Sequence, residues 1–302
     1  MSATSYDEFG LFEENAAEAG LPFRPPQVAR VTHGPISALR WGPPDESPAI
    51  VLVHGGAQNS HTWDTVALAL EGQALLAVDL PGHGRSQWRD DHDYRPGANA
   101  PALADAVAAL APDAAVVVGM SLGGLTAAAL AGLRPDLVRR LVLVDVTPGV
   151  NQDKAADIIA FVSGPETFAS FDEILERTVQ FNPTRRESSL RRGILHNAHE
   201  VDGGAWSWRY DRLRESPIDG DQAAAELEGL SDTLADADAT GPLLLVRGST
   251  SPVVTDDDVT ELVRRRPDAE VLTVDRAGHS IQGDRPLALA PLLAGWAARP
   301  LA

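Results

Sequence analysis

The five residues Gly119-Met120-Ser121-Leu122-Gly123 carry the strongest chemical signal in the chain. A β-branched run, Ala115 to Val118, leads into them, and a helical stretch of small residues from Gly124 leads out. A serine at the apex of a strand–turn–helix presents its hydroxyl as a nucleophile above the sheet. The flanking glycines let the tight turn close and let neighbouring backbones pass. The Leu122 N–H falls at a helix N-terminus, where developing negative charge is favoured. Taken alone, the segment also fits an ordinary strand–turn–helix with a chance serine.

Two further loops follow buried-strand runs. His54-Gly55-Gly56-Ala57 comes directly after Ala49 to Val53. A loop there can offer a backbone N–H to an oxyanion, with Gly56 as the donor paired with Leu122. His54 itself is expected to brace the loop. Ala277-Gly278-His279-Ser280 follows the last strand run and precedes the last helix, so His279 lies at the carboxyl end of the sheet, where ligands bind. A histidine there suits a general base for Ser121. Of the other histidines, His83 reads as a turn residue, and His61, His92, His196 and His199 have loop or cap settings. His196-x-x-His199 offers two imidazoles at metal-ligand spacing. No third ligand is evident, so a solvated helix is the preferred reading and no metal or cofactor is expected.

These residues need a scaffold. Six apolar runs recur, at Ala49 to Val53, Ala74 to Val78, Ala114 to Val118, Leu141 to Val144, Leu243 to Val246 and Val271 to Val274. Such runs suit strands buried on both faces of a parallel sheet. Helical patterns at Trp63 to Leu70, Pro101 to Leu110, Leu122 to Leu133, Val259 to Arg265 and Pro286 to Ala297 alternate with them. The alternation predicts a doubly wound α/β fold with right-handed crossovers. A hairpin broken at Gly34-Pro35 precedes it, after an N-terminal extension with one short helix. Between residues 149 and 240 no buried strand run occurs, which predicts an insertion of about ninety residues between two strands of one sheet. The core is then 1–148 and 241–302, with 149–240 as the insertion.

HGG after one strand, DLPGHGRS after the next, GMSLGG, LVLVDVTP and a late GHS together resemble the α/β-hydrolase superfamily. The resemblance covers roughly residues 27–147 and 242–299 and makes the insertion a helical cap domain. It implies a Ser-His-Asp triad. Many members place the acid after the penultimate strand, in a pattern like Gly-x-x-Asp. This chain has Gly248-Ser249-Thr250-Ser251 there, so Ser251 stands where the acid is expected. The other address the family uses, after the strand that follows the nucleophile helix, holds Asp145. Asp145 is preferred over Asp257, whose neighbours Asp256 and Asp258 look like the acidic start of a helix. That placement is similar to enzymes of the (acetamidomethylene)succinate hydrolase type.

The resemblance implies attack by Ser121 on a carbonyl carbon, proton transfer by His279, and an acyl-enzyme released by water. The substrate class is a small, mostly apolar ester, lactone or amide. Two rivals share the layout: a cofactor-free dioxygenase or lyase, and a receptor that keeps the triad. Met120 either touches substrate or packs. In the insertion, Trp206, Trp208 and Tyr210 alternate and share one face of an extended segment, with one or two expected at the site. Arg185, Arg186, Arg191 and Arg192 could recognise a carboxylate, but a solvated face is preferred.

The bulk properties narrow the partners. The chain has 302 residues, no cysteine and a formal net charge of −18. Disulfides and thiol chemistry are excluded, and nucleic acid and anionic membranes are repelled. No apolar run approaches the ~18 residues that span a bilayer, and the acidic N-terminus does not read as a secretory signal. A small-molecule substrate and a cytoplasmic monomer or homodimer are expected. Lys154 is the only lysine beside abundant Arg, Ala and Asp, which fits a GC-rich bacterial coding bias.

Overall fold

The computed structural model describes residues 6–149, 154, 156–182, 185–211 and 220–300. The chain enters through α1 (Phe12–Ala19), then a hairpin of β1 (Val28–His33) and β2 (Ile36–Trp41), closed by Gly34 at positive φ. Alternation follows: β3 (Ile50–Val53), α2 (Asp64–Ala69), β4 (Leu75–Asp79), α3 (Pro96–Leu110), β5 (Val116–Met120), α4 (Leu122–Leu133) and β6 (Leu141–Val144). The insertion holds α5 (Ala156–Val162), β7 (Thr167–Phe168), α6 (Phe171–Phe181), α7 (Glu187–Asn197), β8 (Ala198–Glu200), β9 (Trp206–Trp208), α8 (Gly220–Ala235) and α9 (Ala237–Thr240). The core resumes with β10 (Leu243–Gly248), α10 (Asp256–Arg265), β11 (Glu270–Val274), α11 (Ile281–Asp284) and α12 (Pro286–Ala297).

One eight-stranded sheet runs β1-β2-β4-β3-β5-β6-β10-β11. The pairs made by β2 are antiparallel and the rest are parallel. The apolar runs are continuous because both faces are covered. Val51 and Val53 of β3 pack with Leu103 of α3 and Ala128 of α4, while Ile50 and Leu52 point the other way, toward Val66 of α2 and Leu293 of α12. Every residue of β3, β5 and β6 is buried.

Two helices begin well before the sequence pattern places them. Helix α3 begins at Pro96, not Pro101, because Pro96 occupies the first helical turn, where a missing N–H costs nothing. Helix α10 begins at Asp256, where Thr255 and Asp258 form a capping box.

The insertion is not free of strands. β7, β9 and β8 form a small antiparallel sheet, in strands of two or three residues that leave no apolar run to see. Phe168, Ile174, Ile194, Trp208 and Tyr210 make its core, and Ala57 of the first βα loop packs into that core. Residues 150–153, 155, 183–184 and 212–219 of the insertion lie outside the described residues. Among those described, no helix is long and apolar enough to cross a membrane.

Candidate active site

Ser121 sits between β5 and α4 with φ 51° and ψ −123°, an unfavourable backbone state for a non-glycine residue. The crowding around it explains the glycines. A Cβ on Gly119 would lie 2.3 Å from the Gly123 carbonyl oxygen, and one on Gly123 would lie 2.4 Å from the carbonyl oxygens of both Val53 and His54. Strand β3 therefore passes directly against the turn. The loop after β3 abuts the same turn, since a Cβ on Gly55 would lie 2.5 Å from Met120 Sδ and 3.1 Å from Ser121 Cβ. Among the described residues, neither the Gly56 N–H nor the Leu122 N–H is bonded to another backbone group.

Two buried histidines hold that loop. His54 Nδ1 donates to the Gly55 carbonyl at 2.7 Å, and its Nε2 accepts from Leu80 N–H at 3.0 Å. Both nitrogens are used in the neutral form, and burial depresses the pKa to about 3. His83 Nε2 accepts from Ala57 N–H at 3.1 Å, and Nδ1 donates to the Pro81 carbonyl at 2.9 Å. Burial lowers its pKa too. His83 is thus more than a turn residue, because it holds Ala57 at a φ of 57° in the loop after β3. Asp79 continues the brace by accepting from Ser60 N–H at 2.6 Å and Arg30 at 2.8 Å.

His279 lies between β11 and α11. Its Nδ1 stands 2.8 Å from Asp145 Oδ2. Asp145 follows β6 at φ 51° and is fully buried. Its Oδ1 accepts from Gly248 N–H at 2.9 Å, and its Oδ2 accepts from Ser251 Oγ. The position where an acid was expected therefore supplies a donor to the acid that is present. Asp257 is exposed on the first turn of α10. Asp284 Oδ2 accepts from Gly278 N–H at 2.9 Å, which ties α11 to the histidine loop.

Two cavities meet at Ser121 and His279. The larger, about 410 Å³, also borders Gly56, Met120, Phe161, Trp208 and Arg185. The smaller, about 280 Å³, is walled by Leu122, Leu125, Val146, Leu227 and Val253. The three aromatic residues at the insertion separate here. Trp208 lines the larger cavity, whereas Trp206 and Tyr210 are not among its walls. Trp206 packs edge-on to Phe171 with ring centroids 5.1 Å apart, and Tyr210 stacks on Trp208 at 5.5 Å.

The arginine and histidine expectations for the insertion also change. Arg186 and Arg191 are exposed, as expected of a solvated face. Arg192 is buried and bonds Asn15 Oδ1 at 2.8 Å and Glu18 at 3.0 Å on α1. Arg185 borders the larger cavity with its Nε 3.6 Å from Asp284 Oδ1, and burial lowers its pKa. His196 and His199 do not share a helix face, because α7 ends at Asn197 and His199 belongs to β8. His196 is buried, with its ring stacked on His61. Sequence reasoning missed Asn15, a wall of the larger cavity contributed by the N-terminal helix. A short Phe/Leu content in a polar stretch ahead of Pro25-Pro26 was the signal for α1, and it says nothing of where Asn15 points.

The fold agrees with the comparisons. The α/β-hydrolase fold family matches residues 48–286, and the chain belongs to it. Esterase Rv0045c of Mycobacterium tuberculosis is 48% identical over 300 residues, covering 97% of this chain and 96% of that protein. A solved structure of that esterase superposes with a TM-score of 0.85 at 46% identity, covering 97% and 99% of the two chains. The sn-1-specific diacylglycerol lipase ABHD11 of Mus musculus is 31% identical over 253 residues, 79% of this chain and 77% of the lipase. The 2-(acetamidomethylene)succinate hydrolase of Mesorhizobium japonicum is 29% identical over 239 residues, 78% and 82% of the two chains.

Proposed function

We propose that the chain hydrolyses small carboxylic esters through an acyl-enzyme, with Ser121 as nucleophile, His279 as general base and Asp145 as the acid that orients the imidazole. The observation that carries this is the His279 Nδ1 to Asp145 Oδ2 contact of 2.8 Å beside a strained Ser121 at the junction of two cavities. His279 takes the Ser121 proton as Oγ attacks the carbonyl, and returns it to the leaving alcohol. Asp145 stays ionised, fixes the Nδ1–H tautomer and stabilises the imidazolium. The Gly56 and Leu122 N–H groups donate to the oxyanion, each worth roughly 10²–10³ in turnover. Water then repeats the sequence on the acyl-enzyme. The likeness to Esterase Rv0045c supports an ester over an amide.

The insertion is the cap in this proposal, and Trp208 is its aromatic contact with substrate. Arg185 sits where it can meet a polar group of the substrate, in place of the solvated role expected of it. The two cavities divide an ester into one arm in the larger, mixed chamber and one in the smaller, apolar chamber. The test is a fluorophosphonate probe with short p-nitrophenyl esters. Wild type should label and turn over, and Ser121→Ala should do neither. A folded wild-type protein that does neither would refute the hydrolase and favour a receptor.

A further inference from the structure

A second cluster of chemistry-bearing side chains lies away from Ser121. His61, in the 3-10 turn Ser60–Trp63, Asp64 at the start of α2, and His196 in α7 are all buried, and one ligand atom from each lies within 4.8 Å of the others. His61 Nδ1 stands 2.9 Å from Asp64 Oδ2, and His196 Nε2 stands 3.6 Å from the same oxygen. Ligands about 2.0–2.1 Å from a tetrahedral zinc ion lie about 3.3 Å from one another. The two measured separations straddle that value.

The remaining atoms behave as a metal site's surroundings do. Ligating imidazoles are held through their other nitrogen. His196 Nδ1 is bonded to Tyr6 Oη at 2.6 Å, and His61 Nε2 faces Glu8 Oε1 at 3.3 Å. Meanwhile His196 Nε2 and Asp64 Oδ1 are buried with no hydrogen-bond partner. Unsatisfied buried polar atoms are costly, and a native fold that keeps two of them in one cluster calls for an explanation. An entry path exists, since His61 and His196 both border the larger cavity.

We propose that His61, Asp64 and His196 form a binding site for a single divalent transition-metal ion. Two imidazoles and one carboxylate select zinc, cobalt, nickel or copper over magnesium or calcium, which take oxygen ligands. The rings now stack with centroids 3.8 Å apart and planes 7° from parallel. Imidazole lone pairs lie in the ring plane, so one ring must tilt to point at a shared ion. Because His61 and His196 border the larger cavity, a water from it can complete the ligand set. An ion held there joins the turn after the oxyanion loop to α7, a connection that Asn59 already makes through the His196 carbonyl at 3.2 Å.

The site does not depend on the esterase proposal, and its test reads binding. Full-length protein stripped with a chelator is titrated with Co²⁺, and bound metal is measured by equilibrium dialysis and visible absorption. One Co²⁺ per chain is expected, displaced by Zn²⁺ and not by Mg²⁺. Asp64→Asn and His196→Gln should each weaken binding at least tenfold, while His33→Asn, at an exposed strand end, should not. If both ligand variants fail to fold, Tyr6→Phe serves instead, with a loss of about tenfold expected from removing the group behind His196. No binding to wild type at millimolar Co²⁺, or unchanged stoichiometry and affinity in the folded variants, would overturn the site.

Discussion

Ser251 Oγ and His279 Nδ1 converge on a single oxygen, Oδ2 of Asp145. In the proposed triad the acid therefore has a supporting donor at the sequence position where the acid was expected. Asp145→Asn should lower kcat roughly ten-thousandfold by presenting the wrong partner to Nδ1. Asp257→Asn should leave kcat unchanged. Ser251→Ala should cost far less, about tenfold. Because the two side chains touch, adding Ser251→Asp to Asp145→Asn should recover at least tenfold of the lost activity. Steady-state kinetics on p-nitrophenyl butyrate checks all four, and an inactive Asp257→Asn would move the acid elsewhere.

The elbow's tolerance for a methyl group can be tested at two glycines. A Cβ on Gly123 meets backbone atoms of Val53 and His54, so no flexible side chain can yield. Gly123→Ala should fail to accumulate as folded protein or melt at least about 5 °C lower, since overpacking of this kind costs upward of 1–3 kcal/mol. Gly295, exposed in α12, has nothing within 4 Å of the same added carbon. Gly295→Ala should be neutral or raise the melting temperature slightly.

Leu227 of α8 walls the apolar chamber. Leu227→Trp fills it. If the chamber holds the acyl chain, kcat/KM should fall at least about tenfold more for p-nitrophenyl octanoate than for the acetate. Equal losses for both esters would assign the chamber to the leaving group. Unchanged kinetics for both would show that substrate does not enter it.

His54 supplies an acid-sensitive brace. Its folded pKa of about 3 lies below the unfolded value near 6.5, so the unfolded state takes up a proton that the folded state refuses. Stability from this group is complete above about pH 6.5 and is lost as pH falls toward 3. The slope contributed is at most about 1.4 kcal/mol per pH unit. Urea melts of wild type and His54→Gln between pH 7 and 4.5 should show a shallower pH dependence in the variant. Parallel curves would mean that His54 is not the group responsible.

The strands that position the site were legible because β3, β5 and β6 are apolar at every position, as burial on both faces requires. β11 at the sheet's edge was read from the same kind of run, although Leu272 and Thr273 are exposed. Ser121, His279 and Asp145 were legible because each closes such a run or follows it. Ser251 was seen only as a missing acid, since a hydroxyl's partner cannot be read from its own neighbours. The His61, Asp64 and His196 cluster was invisible for the same reason. His61 and Asp64 are one turn apart, but the third member comes from α7, far along the chain in the insertion. The two- and three-residue strands of the insertion fell below the length at which periodicity means anything.

Helix α1 has a consequence for how this scaffold can be rearranged. Asn15 walls the larger cavity, and Asn15 and Glu18 clasp Arg192 of α7. The segment that shapes the pocket is thus split between the beginning of the chain and the middle. A graft that exchanged only residues between β6 and β10 would bring in a new α7 against an old α1, with unmatched charges at the seam. In this chain the insertion is portable only together with α1, so any change of pocket shape draws on two distant stretches of sequence at once.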